Sequence, residues 1–257
     1  MYNLKNIFRL KELDRLDIDD PATTVIRRKI VRRKRFLYEV YRHFYKQMFS
    51  LIQKLPKGPI IELGSGPGFI KEIIPSAMTS EVFLIPDLDL VCSGQNLPFK
   101  DQSISCLLML DVFHHIPKPI QFLKEAERCL LRGGRVLMVE PYNTLFGRFF
   151  YQKFHQECFD PHAGWEHQER GPLSGANGAL PWIIFVRDQH IFKKNFSSLQ
   201  VKSIKPHTPF AYLLSGGLSF NSFLPGICFG PVRIIENLLS PLNNHIGLFA
   251  TISLEKT

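Results

Sequence analysis

Apolar residues in segment 23–55 recur at steps of three, four and seven, which is the spacing of one face of a helix. They are Ile30, Leu37, Tyr41, Phe44, Met48, Ile52 and Leu55. The segment "DPATT" supplies helix-start residues, and "LPKG" supplies residues that end a helix. The pattern therefore predicts one long N-terminal helix.

From residue 58 onwards, short apolar runs alternate with helical patterns. Five runs predict strands, "GPIIEL", "SAMTSEV", "LDLVCSG", "SISCLLML" and "RVLMVEP". Two segments predict helices, "GFIKEII" and "PIQFLKEAERCLL", and Gly133 and Gly134 are expected to cap the second one at its C-terminus. This alternation predicts an α/β fold with a mostly parallel sheet and helices on both faces.

The regular pattern ends after Pro141. Residues 142–182 are rich in aromatic residues, His, Gly and Pro, and predict a long insertion, whereas "SSLQVKSIKP" and "HIGLFATISLEK" predict two closing strands that pair in antiparallel fashion. Between these strands, residues 208–232 contain no Asp, Glu, Lys or Arg, and are expected to form a lid, a lipid-facing surface or core. We divide the chain into an N-terminal helical cap (1–57), a core (58–141) and an insertion with closing strands of the same domain (142–257).

The composition is that of a folded protein, since 45% of the 257 residues are apolar and 21% are charged. No apolar run is long enough to predict a membrane-spanning helix, and charges within the first 20 residues argue against a signal peptide. Five scattered cysteines without a CxxC pair predict reduced thiols, and hence a cytoplasmic protein rather than a disulfide-bonded one.

The net charge of +9 is concentrated in one segment. "RRKIVRRKR", residues 27–35, supplies seven of these charges and contains no acid. A single basic patch on a nearly neutral protein argues against a fold built for nucleic acid. The patch is either a solvated helix face or a site of attraction to anionic lipid or another polyanion. Attraction to anionic lipid would place the protein at the inner face of a membrane. No obligate protein partner is inferred.

Three glycines in "IIELGSGPGF" indicate a close approach to the backbone. Gly64, Gly66 and Gly68 follow an apolar run that ends in Glu62. A phosphate-binding P-loop would need Lys and then Ser or Thr after the glycines, and a dinucleotide fingerprint would place its third glycine where Phe69 stands. An acid just before the first glycine suits a ligand that carries an ammonium group.

Several ordered segments resemble one family. "ELGSGPGF" resembles the first motif of class I S-adenosylmethionine-dependent methyltransferases. "NLPF" and "LDVFHHIPKPIQFLKEAERCLLRGGRVLMVEP" resemble later segments of methyltransferase type 11 domains, in the ubiquinone- and menaquinone-biosynthesis-like group. The resemblance covers about residues 58–141. It implies a Rossmann-like fold with a seven-stranded sheet, and S-adenosylmethionine as the cofactor.

The resemblance also implies the cofactor-binding residues. The loop of Gly64, Ser65, Gly66 and Gly68 would hold the methionine carboxylate through backbone N–H groups, and Glu62 would receive the ammonium. Glu81 would bind the ribose hydroxyls, with Asp87 and Asp89 as alternatives.

The adenine ring would lie against Leu97 and Phe99. Backbone from Ser93 through Gln95 to Asn96 would read the edge of the ring. Asp111 would line the methionine end or the acceptor entrance.

Two positions depart from the family pattern, which usually has an acid at Ser93 and an Asp at Ser105. The first change would weaken recognition of the adenine amino group. The alternative to an enzyme is therefore a non-catalytic S-adenosylmethionine-binding protein with a degenerate site. A nicotinamide-dependent oxidoreductase is a further alternative, disfavoured by Phe69 and by the later motifs.

His114 and His115 are the candidate catalytic residues, because an imidazole beside the sulfonium could take a proton from an acceptor hydroxyl. The alternative is that one histidine packs in the core and the other caps a helix. The insertion also brings potential metal ligands close together in sequence, namely His155, Glu157, Cys158, Asp160, His162, Glu166 and His167. Their spacing fits no standard metal template, so we predict no metal and expect an acceptor pocket or lid.

The acceptor is expected to be a small molecule or a lipid-linked, cell-envelope metabolite. The basic segment, the uncharged stretch 208–232 and 22 phenylalanines favour a greasy or membrane-associated compound. A soluble metabolite is the next alternative, and RNA or protein follows.

Overall fold

A computed structural model of the chain describes residues 10–13, 16–168, 171 and 173–257, so part of the predicted N-terminal cap lies outside the described residues. Seven strands form one sheet in the order β3-β2-β1-β4-β5-β7-β6. The strands are β1 (Ile60–Leu63), β2 (Ala77–Glu81), β3 (Leu90–Val91), β4 (Ile104–Leu110), β5 (Leu130–Pro141), β6 (Leu199–His207) and β7 (Phe249–Lys256). Strands β1 to β5 pair in parallel, and β7 runs antiparallel to β5 and β6. The predicted Rossmann-like fold and the antiparallel closing pair are both confirmed.

The centre of the sheet is an apolar strand with both faces covered. All seven residues of β4 are buried, which is typical of a parallel strand that packs between layers of helix and loop. The helices are α1 (Pro21–Arg33), α2 (Arg35–Ile52), α3 (Pro119–Cys129), α4 (Leu145–Phe154), α5 (Leu180–Trp182, continued by a π-helical turn at Ile183–Arg187), α6 (Gln189–Asn195), α7 (Ala211–Leu214), α8 (Phe229–Leu238) and α9 (Asn243–Ile246).

The single long N-terminal helix predicted over 23–55 is wrong, because the helix is broken at Lys34. Asp20 caps α1 by accepting a hydrogen bond from the Ala22 N–H at 2.8 Å. Lys34 leaves helical geometry, and its buried ammonium donates to the carbonyls of Gly217 and Phe220. These distant carbonyls fix the break, so a local periodicity could not reveal it.

Helix α3 also ends earlier than predicted. Leu130 already has an extended conformation, and Gly133 and Gly134 lie within β5 instead of capping the helix. Gly133 has φ +78°, and a Cβ on Gly134 would lie only 2.8 Å from the carbonyl oxygen of Leu131. The glycines therefore allow an irregular start of β5. The helix predicted at "GFIKEII" is only a 3₁₀ turn, Ile70–Glu72.

The uncharged segment 208–232 is partly core and partly surface, because Ala211 is buried whereas Phe223 and Ile227 are exposed. Each of the five cysteines is a free thiol. Within the described residues, every helix is too short or too polar to cross a membrane.

Candidate functional site

A cavity of about 1240 Å³ opens at the carboxyl ends of β1, β2 and β4, where ligands bind in open parallel sheets. Its lining includes nine of the thirteen predicted site residues, Gly64, Ser65, Gly66, Gly68, Glu81, Ser93, Gln95, Asp111 and His115. Residues far apart in sequence thus meet around one space. Of the other predicted residues, Glu62, Asn96, Leu97 and His114 are not part of the lining.

The glycine loop adopts backbone conformations that favour glycine. Gly64 has φ +64° and Gly66 has φ +37°. A Cβ on Gly64 would also lie 2.9 Å or less from methyl groups of Val112, so both conformation and space require glycine there. Gly68 has a different role, because a Cβ there would overlap the hydroxyl of Tyr45. Gly64 and Gly66 are therefore required by the backbone conformation of the loop, and Gly68 leaves space for the Tyr45 side chain.

Glu62 is a buried carboxylate whose oxygens lack well-formed hydrogen bonds among the described residues. Its side chain is 1% exposed, and neither carboxyl oxygen has a hydrogen bond of good geometry among the described residues. Burial raises the pKa of Glu62 to about 7, although the nearby hydroxyls of Ser65 and Tyr45 partly offset this. A buried acid with unsatisfied oxygens beside the glycine loop could receive the ammonium group of S-adenosylmethionine, although Glu62 itself does not line the cavity.

Glu81 lies at the end of β2 and faces the cavity. Its Oε2 accepts a hydrogen bond from the Gly66 N–H at 3.0 Å, and its Oε1 accepts one from the Val82 N–H at 3.0 Å. Burial raises the pKa of this carboxyl. The acid is thus anchored to the glycine loop while it lines the space where a ribose would lie.

The two alternative acids have other surroundings. Asp87 is 89% exposed at its side chain and lies 3.7 Å from Arg28. Asp89 accepts hydrogen bonds from Lys71 and from the N–H and hydroxyl of Thr79. Neither residue lines the cavity. The geometry favours Glu81 as the ribose-binding acid.

The predicted adenine loop is only partly at the cavity. Ser93 and Gln95 line it, and the Ser93 hydroxyl accepts a hydrogen bond from the Gln95 N–H at 3.2 Å. Asn96 is exposed, whereas Leu97 is buried in the core and its N–H donates to Glu125 at 2.8 Å. The second departure from the family, Ser105, lies outside the lining and donates to the carbonyl of Pro56 at 2.7 Å.

Helix α1 closes the cofactor end of the cavity, which the sequence did not predict. Nε and one terminal nitrogen of Arg28 donate to the Gly66 carbonyl at 3.3 and 3.2 Å, and the other donates to the Pro86 carbonyl at 3.0 Å. Arg27 lines the cavity, and its buried Nε has no hydrogen-bond partner among the described residues. The basic segment is therefore partly built into the site.

At the opposite end of the cavity, the turn that follows β4 is held by Glu140. One carboxyl oxygen of Glu140 accepts from the N–H groups of Val112 and Phe113 at 2.9 and 2.7 Å. The other lies 2.6 Å from Nδ1 of His114. Asp111, at the start of this turn, has φ +63°, and burial raises its pKa to about 7. Glu140 thus supports the turn from below.

The two predicted catalytic histidines have different environments. His114 is fully buried, and its Nε2 lies 3.3 Å from Glu157. Burial disfavours its charged form, but hydrogen bonds to Glu140 and Glu157 prevail and hold the pKa of His114 well above its usual value. A charged imidazole between two carboxylates cannot act as a free base.

His115 lines the cavity. Its Nδ1 lies 3.1 Å from the Gly175 carbonyl, which can only accept, so Nδ1 carries the proton. Burial, together with the charge of His114, lowers the pKa of His115 to about 4. The ring is neutral near pH 7, and its Nε2 has a lone pair.

Glu157 joins the insertion to this turn. It lines the cavity, and its Oε1 lies 4.0 Å from Nε2 of His115. Burial opposes its ionisation, but the adjacent histidines hold the pKa of this carboxyl far below its usual range. The sequence drew attention to Glu157 only as one of seven polar residues in the insertion. No local feature of the sequence indicated that Glu157 would lie near His114.

The comparisons with known proteins agree with this fold. Residues 62–138 match a family described as a methyltransferase domain. An uncharacterized protein of Methanocaldococcus jannaschii is 26% identical over 125 residues, which cover 45% of this chain and 61% of that protein. An uncharacterized methyltransferase of Mycobacterium tuberculosis is 28% identical over 106 residues, which cover 35% of this chain and 41% of that protein. The matches thus span less than two thirds of the length of these relatives.

Two solved structures share the fold. A Thermotoga maritima S-adenosylmethionine-dependent methyltransferase, described as a possible histamine N-methyltransferase, has a TM-score of 0.52 at 17% identity and covers 90% of this chain and 97% of its own. Geranyl diphosphate C-methyltransferase from Streptomyces coelicolor has a TM-score of 0.53 at 12% identity and covers 97% of this chain and 90% of its own. Residues 62–138 thus match a methyltransferase domain, and the seven-stranded sheet around them has the fold of the class I S-adenosylmethionine-dependent methyltransferases, which supports S-adenosylmethionine as the cofactor.

Proposed function

We propose that this protein transfers the methyl group of S-adenosylmethionine to a small-molecule or lipid-linked acceptor. One observation carries the proposal, which is that the cofactor residues and the His115–Glu157 end line the same cavity. Pockets for a single drug-sized ligand commonly have volumes of about 300–1,000 Å³. The present cavity of about 1240 Å³ has room for a cofactor and an acceptor side by side.

Methyl transfer requires little of the protein beyond alignment of the acceptor with the methyl carbon. A lone pair of the acceptor forms a bond to the methyl carbon, the carbon–sulfur bond breaks, and its electrons remain on sulfur as a neutral thioether. Holding the two reactants in line and excluding water supplies most of the catalysis. An acceptor hydroxyl must also lose its proton, and the neutral His115, with its free Nε2, is the candidate base at that end of the cavity.

Calorimetric titration with S-adenosylmethionine, and separately with NADH, tests the cofactor site. Micromolar binding of S-adenosylmethionine is expected, with loss in Glu81→Ala and in Gly66→Val. Asp87→Ala is the matched control, because this exposed acid lies outside the cavity lining and its loss should leave affinity unchanged. Binding of NADH alone would favour an oxidoreductase, and binding of neither ligand would contradict the proposal.

Transfer of a radiolabelled methyl group identifies the acceptor class. We expect label to enter the lipid-extractable fraction when purified protein is incubated with cell-envelope extract. Label found only in the aqueous fraction would indicate that the acceptor is a soluble metabolite and not a lipid-linked compound. Absence of label from both fractions, in a protein that binds the cofactor, would favour the non-catalytic alternative.

Exposed apolar residues support a lipid-linked acceptor. The segment 223–242 presents a row of solvent-exposed apolar side chains, Phe223, Ile227, Ile234, Ile235, Leu238 and Leu242. Gly226, in the same segment, lies against the side chain of Arg35, so this apolar surface adjoins the basic segment. We propose that this combined face attaches the protein to an anionic membrane surface.

Most charges of the basic segment already have protein partners. Arg32 pairs with Glu72, Arg33 lies 2.8 Å from Glu12, and Arg35 lies 2.6 Å from Glu39. Such exposed pairs are weak and can exchange for lipid phosphates.

Co-flotation with liposomes tests the membrane proposal. Binding to vesicles with anionic lipid is expected for the natural protein, and loss is expected when Arg32, Arg33 and Arg35 become Glu or when Ile227 and Leu238 become Ser. Unchanged flotation of both variants would contradict attachment through this face.

A further inference from the structure

We propose that His114, His115 and Glu157 form a binding site for one divalent transition-metal ion at the acceptor end of the cavity. The three side chains each offer one ligand atom, and these atoms all lie within 4.8 Å of one another. They come from two separate segments, the turn after β4 and the insertion. The metal-binding inference does not depend on methyl transfer.

Both histidines are held as metal-binding histidines commonly are. Nδ1 of His114 donates to Glu140 at 2.6 Å, and Nδ1 of His115 donates to the Gly175 carbonyl at 3.1 Å. A carboxylate or carbonyl on one ring nitrogen fixes the tautomer and leaves the other nitrogen as the ligand, and at His114 the metal ion would displace the proton that Nε2 directs towards Glu157. In both rings that other nitrogen, Nε2, is the atom directed towards Glu157.

The separations fit a metal ion. Nε2 of His114 lies 3.3 Å from Oε2 of Glu157, and Nε2 of His115 lies 4.0 Å from Oε1. Two ligand atoms that are each about 2.1 Å from a tetrahedral ion lie about 3.4 Å apart. The His114 separation already matches this value, and the His115 separation exceeds it by about 0.6 Å, so movement of the Glu157 side chain towards His115 would be needed to close the site around an ion.

The ligand set selects the class of metal. Two imidazole nitrogens and one carboxylate suit Zn²⁺, Fe²⁺ or Co²⁺, whereas Mg²⁺ and Ca²⁺ prefer oxygen ligands. His115 and Glu157 line the cavity, so the open coordination positions would face the acceptor. A metal-bound acceptor hydroxyl would release its proton to solvent more readily, because the metal would stabilise the alkoxide that remains. The metal would thus replace His115 as the group that activates the acceptor.

A second group of residues, Asp111, His114 and Glu140, also lies close together but is a poorer site. Both oxygens of Glu140 already accept hydrogen bonds, from the Val112 and Phe113 N–H groups and from His114. A metal there would have to displace the bonds that hold the turn. Glu140 is better placed to orient His114 than to bind the ion.

Titration of the chelator-treated protein with Co²⁺ tests the site directly. We expect one equivalent to bind and to give visible ligand-field absorption, which Zn²⁺ should displace. Glu157→Gln and His115→Gln should each weaken Co²⁺ binding by about tenfold or more. Glu166→Gln and His162→Gln are matched controls, since both residues are exposed in the same insertion and belong to neither cluster, and they should bind like the natural protein.

The outcomes separate metal binding from folding and from methyl transfer. S-adenosylmethionine binding by each variant serves as the check of folding, because Glu62 and Glu81 are distinct from the proposed ligands. The proposal is overturned if the natural protein binds no Co²⁺, or if Glu157→Gln binds it as tightly as Glu166→Gln does. In that case the three residues form a charge-balanced ion network only. Co²⁺ binding without any methyl transfer would leave this site standing and contradict the proposed function.

Discussion

Replacing Glu62 by Gln should change how the stability of the protein depends on pH. Burial without well-formed hydrogen bonds raises the pKa of Glu62 from 4.5 to about 7. In the unfolded chain this carboxyl ionises near its ordinary pKa, so between about pH 4.5 and pH 7 the folded protein binds a proton that the unfolded chain has lost. The stability that this proton provides is present below the unfolded pKa and is lost as pH rises through the folded one.

The magnitude follows from the size of the shift. About 1.4 kcal/mol per pKa unit gives about 3 kcal/mol for the rise that burial of Glu62 produces. Gln cannot ionise, so the variant should lack this part of the pH dependence. Its buried amide has a cost of its own, but that cost does not vary with pH and cancels when slopes are compared.

Urea unfolding of the natural protein and of Glu62→Gln at intervals from about pH 4 to pH 8 measures the effect. The difference in unfolding free energy should move by about 3 kcal/mol in favour of the variant as pH rises. Glu166→Gln, at an exposed position, is the control and should follow the natural protein. Parallel curves for the natural protein and Glu62→Gln would refute the reasoning.

The same carboxylate should be essential for the cofactor. An ammonium group beside Glu62 would favour its ionised form, so binding of S-adenosylmethionine near pH 6.5 should release protons. Calorimetry in buffers of different ionisation enthalpy measures this release. Glu62→Gln should bind the cofactor more weakly and release fewer protons, and equal release by both proteins would contradict the assignment.

Three further predictions concern the cofactor end. Gly68→Ala should destabilise the fold by about 1–3 kcal/mol, because its Cβ would overlap the Tyr45 hydroxyl. Gly164→Ala is the control and should not destabilise it, because a Cβ there meets no atom within 4 Å. Thermal unfolding of both variants measures the difference, and equal stabilities would refute the prediction. Arg28→Ala should weaken S-adenosylmethionine binding about tenfold by freeing the Gly66 carbonyl, with the exposed Lys29→Ala as the calorimetric control. Ser93→Asp should strengthen cofactor binding by about tenfold, and weaker binding would contradict this view of the loop. Ser105→Asp should instead lower the thermal midpoint of unfolding, because it buries a charge away from the cavity.

Local patterns in the sequence determined the framework of this protein. The apolar runs predicted all seven strands, and the glycine spacing predicted a loop of unusual backbone conformation at the end of β1. These features depend on residues within a few positions of each other, since strand and loop conformation follow from local sterics and from periodic burial.

Only the tertiary structure decided the rest, because the contacts involved join distant parts of the chain. Carbonyls of the 217–220 loop fix the helix break at Lys34. The Gly66 carbonyl accepts a hydrogen bond from Arg28, which lies 38 positions earlier in the chain. His114 meets Glu140 and Glu157 across 26 and 43 positions. No metal was predicted, because spacing within the insertion alone fits no template. Sheet pairing and loop packing brought the ligand atoms together, and such long-range geometry leaves no periodic signal in the sequence.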